Sequence, residues 1–174
     1  PVITAVNGAA AGVGCAIGLI GDLVIAGKSA YFLQAFRRIG LVPDGGSSYL
    51  LAKTIGRVRA MEMALLGEKL PAETALQWGL VNRVVEDAKL METAKEFAQK
   101  LASGPTVALS LARQCIWDAC DDDFGAALHN ERVAQRDAGE FDPRDALAEV
   151  EHRDHDGEHR LELADGSHIA RVLP

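Results

Sequence analysis

Apolar positions along the chain change period several times, and the changes mark the elements. Pro1 to Val6 is a short β-branched run, the pattern of a strand covered on both faces. Asn7 to Ala16 is built from small residues and reads as a loop leading into a helical stretch over Cys15 to Leu19. Asp22 to Ala26 and Ser29 to Phe32 read as two further strands. From Ser47 the period becomes helical, first to Lys53 and again over Val58 to Leu66, where Met61, Ala64 and Leu65 recur at helical spacing and the methionines read as core filling. Gly67 closes that helix, Pro71 opens another that Gly79 stops after Trp78, and Leu80 to Val85 returns to strand. Helices are predicted over Lys89 to Ser103, Pro105 to Cys120 and Phe124 to Ala138, with Asp121-Asp122-Asp123 placed to cap the last. Short strands alternating with helices predict an α/β fold of repeated ββα units with parallel pairing.

Beyond Gly139 the composition changes. Phe141 to Val150 fits one more short helix, Glu151 to His159 is charged and His-rich, and Arg160 to Val172 alternates around Asp165-Gly166 like a small hairpin. Four of the five histidines, His152, His155, His159 and His168, fall here. No cysteine or fixed acid anchors them, so the stretch reads as a solvated tail and no metal site is expected.

Length and charge narrow the function classes. At 174 residues and 48% apolar content the chain can bury one sizeable core. A net charge of −7 argues against a nucleic-acid or anionic-membrane surface, while leaving room for one anionic ligand held by a few Lys or Arg. The first 27 residues lack Lys, Arg and Glu, but Asn7, Asp22 and six glycines interrupt them and no basic leader precedes them. They read as buried structure, with no membrane partner. Cys15, Cys115 and Cys120 have neither metal spacing nor a disulfide framework, and as small buried hydrophobes they suit a reducing cytoplasm.

One carboxylate stands out. Asp44 lies between Pro43, which fixes the incoming backbone, and Gly45-Gly46, which permit a sharp turn. Pro-Asp-Gly-Gly is equally the composition of an ordinary solvated turn. Phe32, Phe36, Ile39, Leu41 and Val42 lie within a dozen residues, and an acid delivered among them would have its charged form disfavoured and suit proton transfer. Gly12-Val13-Gly14 lacks the spacing of a dinucleotide-binding loop, although its small side chains would admit a ligand to the backbone.

The run Gln34-Ala35-Phe36-Arg37-Arg38-Ile39-Gly40-Leu41-Val42-Pro43-Asp44, with Gly46, resembles the crotonase, or enoyl-CoA hydratase/isomerase, superfamily. Within it the pattern is most similar to the ring-epoxide and enoyl-CoA isomerases of phenylacetyl-CoA breakdown. The likeness runs from Pro1 to about Glu149, most specifically over Pro1 to Gly14, Gln34 to Gly46, and Ala72 to Val85 with its Trp78-Gly79-Leu80-Val81-Asn82 centre. It implies a crotonase-like fold of stacked ββα units with a helical C-terminal region. Residues 1–85 would form the part of the ββα core that holds the active site, 86–150 a helical oligomerisation region, and 151–174 an atypical charged tail. The family begins upstream of the strand at Pro1, so the resemblance implies an N-terminal truncation.

The same resemblance implies an acyl-CoA substrate, with coenzyme A part of the substrate and no separate cofactor, and a homotrimer or dimer of trimers. It places one oxyanion-hole donor on the Val13 backbone N–H, the acid/base on Asp44, and the substrate wall on Gly12, Phe32 and Phe36. Hydratases carry two glutamates where this chain has Ala16 and Phe36, neither of which can move a proton, so isomerisation is expected over hydration. Asp44 would shift a C=C bond through a thioester enolate, or assist conversion of a ring epoxide to an oxepin. Two alternatives stay open: hydrolysis or dehalogenation through attack by Asp44, and a catalytically incompetent truncated chain that serves as an oligomeric scaffold.

Overall fold

The computed structural model of the protein describes residues 1–140. The helix expected over Phe141 to Val150, the His-rich run and the hairpin lie outside the described residues. Two compact units divide the chain, Pro1–Ala98 and the residues from Gln99 onward.

In the first unit consecutive strands feed two different sheets. Strand β1 (Ile3–Val6) pairs in parallel with β3 (Leu23–Gly27), and β3 in turn with β6 (Arg83–Val85). Strand β2 (Ala9–Ala11) pairs in parallel with β4 (Tyr31–Leu33), whose other edge takes the two-residue β5 (Leu70–Pro71) antiparallel. Each repeat therefore lays one strand in each sheet, turns at Asn7-Gly8 or Lys28-Ser29-Ala30, and leaves through a helical segment. The expected ββα alternation is present. β2 was expected as loop because three alanines lack the β-branched or aromatic signature of a strand. Its pairing with Tyr31, Phe32 and Leu33 supplies the order that its own side chains do not.

Helix α1 (Val13–Leu19) buries Cys15, Ala16, Gly18 and Leu19. A Cβ at Gly18 would meet Val6, Ala10 and the Phe32 ring at 3.6, 3.7 and 3.8 Å, so the helix lies closely on the strands beneath it. Phe32 is fully buried in this layer. On the first sheet Ile25, Leu90 and Ala94 form a core cluster with Ile3, Ala5, Val85 and Phe97 packed against it. Helix α4 (Leu90–Ala102) supplies its apolar stripe to that cluster, which is why the first unit extends past β6.

Helix α2 runs from Ser47 to Leu66, but Gly56 at φ 77, ψ 161 interrupts it where the sequence pattern changes. The break also reassigns the buried face. Met63 joins Leu50, Leu51 and Ile55 inside, while Met61, also expected as core filling, is exposed, as is Leu65. Gly67 in the left-handed conformation ends the helix, its N–H donating to Met63 O at 3.2 Å. Pro71 precedes helix α3 (Ala72–Gln77). Asn82 then locks β6 onto the sheet: its N–H donates to Val24 O at 2.8 Å and its Oδ1 accepts from Val24 N–H at 2.7 Å.

In the second unit α5 (Thr106–Asp118) and α6 (Phe124–Glu140) pack on one another. The acidic run between them acts as expected, with Asp123 Oδ1 accepting from Ala126 N–H at 2.9 Å.

Candidate active site

Gly12 stands at φ 56, ψ −127, a backbone conformation open to glycine and costly for other residues. Its N–H donates to Leu33 O at 2.9 Å, and its carbonyl accepts from Cys15 N–H at 3.0 Å. Val13, the first residue of α1, is thereby fixed on the end of β4 and is 50% exposed. Its N–H belongs to the first turn of a helix, where backbone donors have no intrahelical acceptor.

After β4 the chain enters a 3-10 helix over Ala35–Ile39 that Gly40 closes in the left-handed region at φ 70. Phe36 is its buried residue, and a Cβ on Gly12 would lie 3.8 Å from the Phe36 ring. Arg37 and Arg38 donate to the carbonyls of Leu66 and Gly67 and tie this turn to the end of α2. The chain then passes through Leu41, Val42 and Pro43 to Asp44, whose carbonyl accepts from Ser47 N–H at 3.0 Å to close the turn. Gly45 and Gly46 both need positive φ, at 60 and 82. A Cβ on Gly45 would stand 3.0 Å from Val13 Cγ2 and 3.2 Å from Ala16 Cβ, so the Asp44 turn is seated on the first turn of α1.

The structure thus gathers Gly12, Val13, Phe36 and the Asp44 turn into one neighbourhood. Two expectations change. Phe32, expected to wall the substrate, is a core residue under α1 with no exposed surface, because its strand position points it into the helix–sheet layer. Asp44 is exposed, and so are Ile39, Leu41 and Val42, the last at 79%. The left-handed bend at Gly40 carries these apolar side chains outward, so the described residues do not close an apolar niche over the acid.

Cys15 is buried, and burial pushes its thiol up to about 11 against the smaller opposing influence of the Gln34 side chain and the Leu33 backbone. It is a protonated core residue at neutral pH rather than a nucleophile. Sequence reasoning assigned no role to Gln34, which proves fully buried with no hydrogen-bond partner for its carboxamide. A glutamine next to apolar residues on both sides of a strand end was the available signal. Among the described residues no group of three His, Cys, Asp or Glu could hold a metal ion, and no helix is long and apolar enough to cross a membrane. A groove along α6 in the second unit, lined by Leu128, His129, Arg132 and Gln135, contains none of the residues discussed above.

Comparison with known proteins bears on this arrangement. The enoyl-CoA hydratase/isomerase family model matches residues 1–155. The 1,2-epoxyphenylacetyl-CoA isomerase of Escherichia coli (strain K12) is 48% identical over 139 residues, covering 80% of this chain and 53% of that protein. The short-chain-enoyl-CoA hydratase of Clostridium acetobutylicum is 38% identical over 149 residues, covering 84% of this chain and 57% of that protein. Among solved structures, an enoyl-CoA hydratase/isomerase from Cupriavidus metallidurans CH34 superposes with a TM-score of 0.79 at 36% identity, covering 88% of this chain and 58% of that one. The chain spans about half the length of the curated relatives it matches.

Proposed function

The chain belongs to the enoyl-CoA hydratase/isomerase family and has its crotonase-type α/β fold, and we propose that it acts on an acyl-CoA thioester as an isomerase, with Asp44 as acid/base. In this reading the Val13 N–H donates to the thioester oxygen while Asp44 takes a proton from one carbon of the acyl group and returns it to another. The C=C bond moves through a dienolate and the carboxylate is regenerated, so nothing is gained or lost overall. In the ring version the same acid assists opening of an aromatic-ring epoxide to its oxepin isomer. A positioned general base contributes typically ~10²–10⁴-fold. Removing one donor of this kind costs about 2.7–4 kcal/mol of transition-state stabilisation.

The observation that supports the proposal is the seating of Gly45 on Val13 and Ala16, which brings the Asp44 turn against the first turn of α1. The composition of the site supports the choice of reaction. Ala16 and Phe36 offer no second carboxylate to activate water, so a single shuttling acid is the chemistry this residue set suits. The 48% identity to a protein named as an epoxyphenylacetyl-CoA isomerase points the same way. The exposed Ile39, Leu41 and Val42 supply the apolar surface that an acyl or aromatic group would cover together with Asp44.

The test is product analysis. Incubated with cis-3-enoyl-CoA and with ring-1,2-epoxyphenylacetyl-CoA, the intact protein should return products of unchanged mass. A product heavier by one water from an enoyl-CoA, faster than any isomer forms, would assign it to hydration instead.

A further inference from the structure

Val13 presents a side chain as well as a backbone N–H. Its neighbours in the chain are Gly12 and Gly14, so its own isopropyl group is the one side chain that residues 12–14 bring to that amide. A Cβ on Gly14 would meet nothing within 4 Å among the described residues, and the surroundings there are open. Val13 itself is half-exposed.

The side chain is nevertheless held still. Val13 opens α1, and a valine in helical backbone geometry keeps one strongly preferred χ1 rotamer. Its Cγ2 lies 3.0 Å from the position a Cβ would take on Gly45, and Ala16 Cβ lies 3.2 Å from the same position. The valine is a fixed apolar post where the start of α1 meets the turn that carries Asp44.

A thioester oxygen bonded to the Val13 N–H would sit about 3 Å from that nitrogen, close to the residue's own side chain. The acyl α-carbon is two bonds from this oxygen. In a dienolate the oxygen, the carbonyl carbon, the α-carbon and any group on it are coplanar, so an α-substituent cannot rotate away from what flanks the oxygen. A straight chain can leave on the open side; a branch at the α-carbon puts a second carbon toward the post.

We propose that the Val13 side chain is a specificity-determining group that selects acyl-CoA thioesters unbranched at the α-carbon. The two acyl classes considered above, a cis-3-enoyl chain and a ring-bearing acetyl group, both have a single carbon substituent there. This inference rests on the acyl-CoA reading and on the Val13 N–H as the thioester donor, and is independent of the role of Asp44.

The test is isothermal titration of the intact protein with butyryl-CoA and isobutyryl-CoA. These thioesters have the same atoms, differ only in the α-branch, and are saturated, so no double bond can shift during the measurement. The parent should bind butyryl-CoA at least about 10-fold more tightly, the low end of what one misplaced carbon costs in an apolar site. Val13→Ala keeps the N–H but removes the post, and should reduce that preference to about threefold or less. Val13→Thr keeps the β-branch and should retain the preference. Equal binding of the two thioesters by the parent overturns the proposal, as does a preference that survives Val13→Ala or disappears in Val13→Thr. A parent that binds neither thioester defeats the acyl-CoA reading, and this inference with it.

Discussion

Gly45 rests against Val13: a Cβ on the glycine would stand 3.0 Å from Val13 Cγ2. This contact fixes the distance between the turn that presents Asp44 and the helix start that presents a backbone donor. It exists because Gly45 has no side chain and adopts φ 60, and both conditions come from the Pro43-Asp44-Gly45-Gly46 sequence.

Gly45→Ala should therefore lower the unfolding free energy by about 1–3 kcal/mol, part from left-handed backbone strain and part from the contact with Val13. Urea denaturation of Gly45→Ala, Val13→Ala and the double variant separates the two. The contact part is recovered in the double variant and the backbone part is not.

Asn82 completes the β3–β6 pairing with its side chain as well as its backbone. Asn82→Leu leaves the part-buried Val24 N–H without an acceptor and should destabilise by about 1–3 kcal/mol, whereas Asn82→Asp keeps the acceptor and should cost less. The midpoint of a urea titration reads the difference.

How much of this was visible in the sequence depended on whether a local pattern or a distant partner fixed each element. β1, β3 and the five longer helical stretches follow local apolar periodicity, and the break in α2 coincides with a glycine that interrupts the pattern. β2 and β5 take their order from β4 across the sheet, which three alanines or a Leu-Pro pair do not announce. The Asp44 turn was legible because Pro and Gly dictate backbone geometry directly. The exposure of Asp44 was not, since the nearness of Ile39, Leu41 and Val42 in sequence says nothing about which way a left-handed Gly40 sends them. Phe32 and Phe36, alike in sequence, parted by position: one faces the layer under α1, the other covers Gly12.

The Cys15 thiol gives an alkaline signature. Its folded pKa is raised from 9.0 to about 11 by burial, so the folded state keeps a proton that the unfolded chain releases. That contribution is complete below about pH 9 and is lost as pH rises toward 11. Cys15→Ala should flatten this limb of the stability curve. In the native parent Cys15 should react with a thiol reagent more slowly than the half-buried Cys115 and Cys120.

The acid limb has a different origin. Asp87 accepts a hydrogen bond from Ser29 N–H, which holds its carboxyl below the usual value. The stability it contributes is present above the unfolded carboxylate range and is lost as pH falls through the lower folded pKa. Asp87→Asn should make stability less dependent on pH there, as read by urea midpoints across the acid range.

The central claim is that one exposed carboxylate, on the turn seated against Val13, carries the proton. The most direct measurement is the rate of double-bond shift, or of epoxide-to-oxepin conversion, in Asp44→Asn against the parent, with the melting temperature recorded for both. A fall of roughly 10²-fold or more at unchanged melting temperature is the predicted result. Turnover equal to the parent's in a folded Asp44→Asn variant would contradict it.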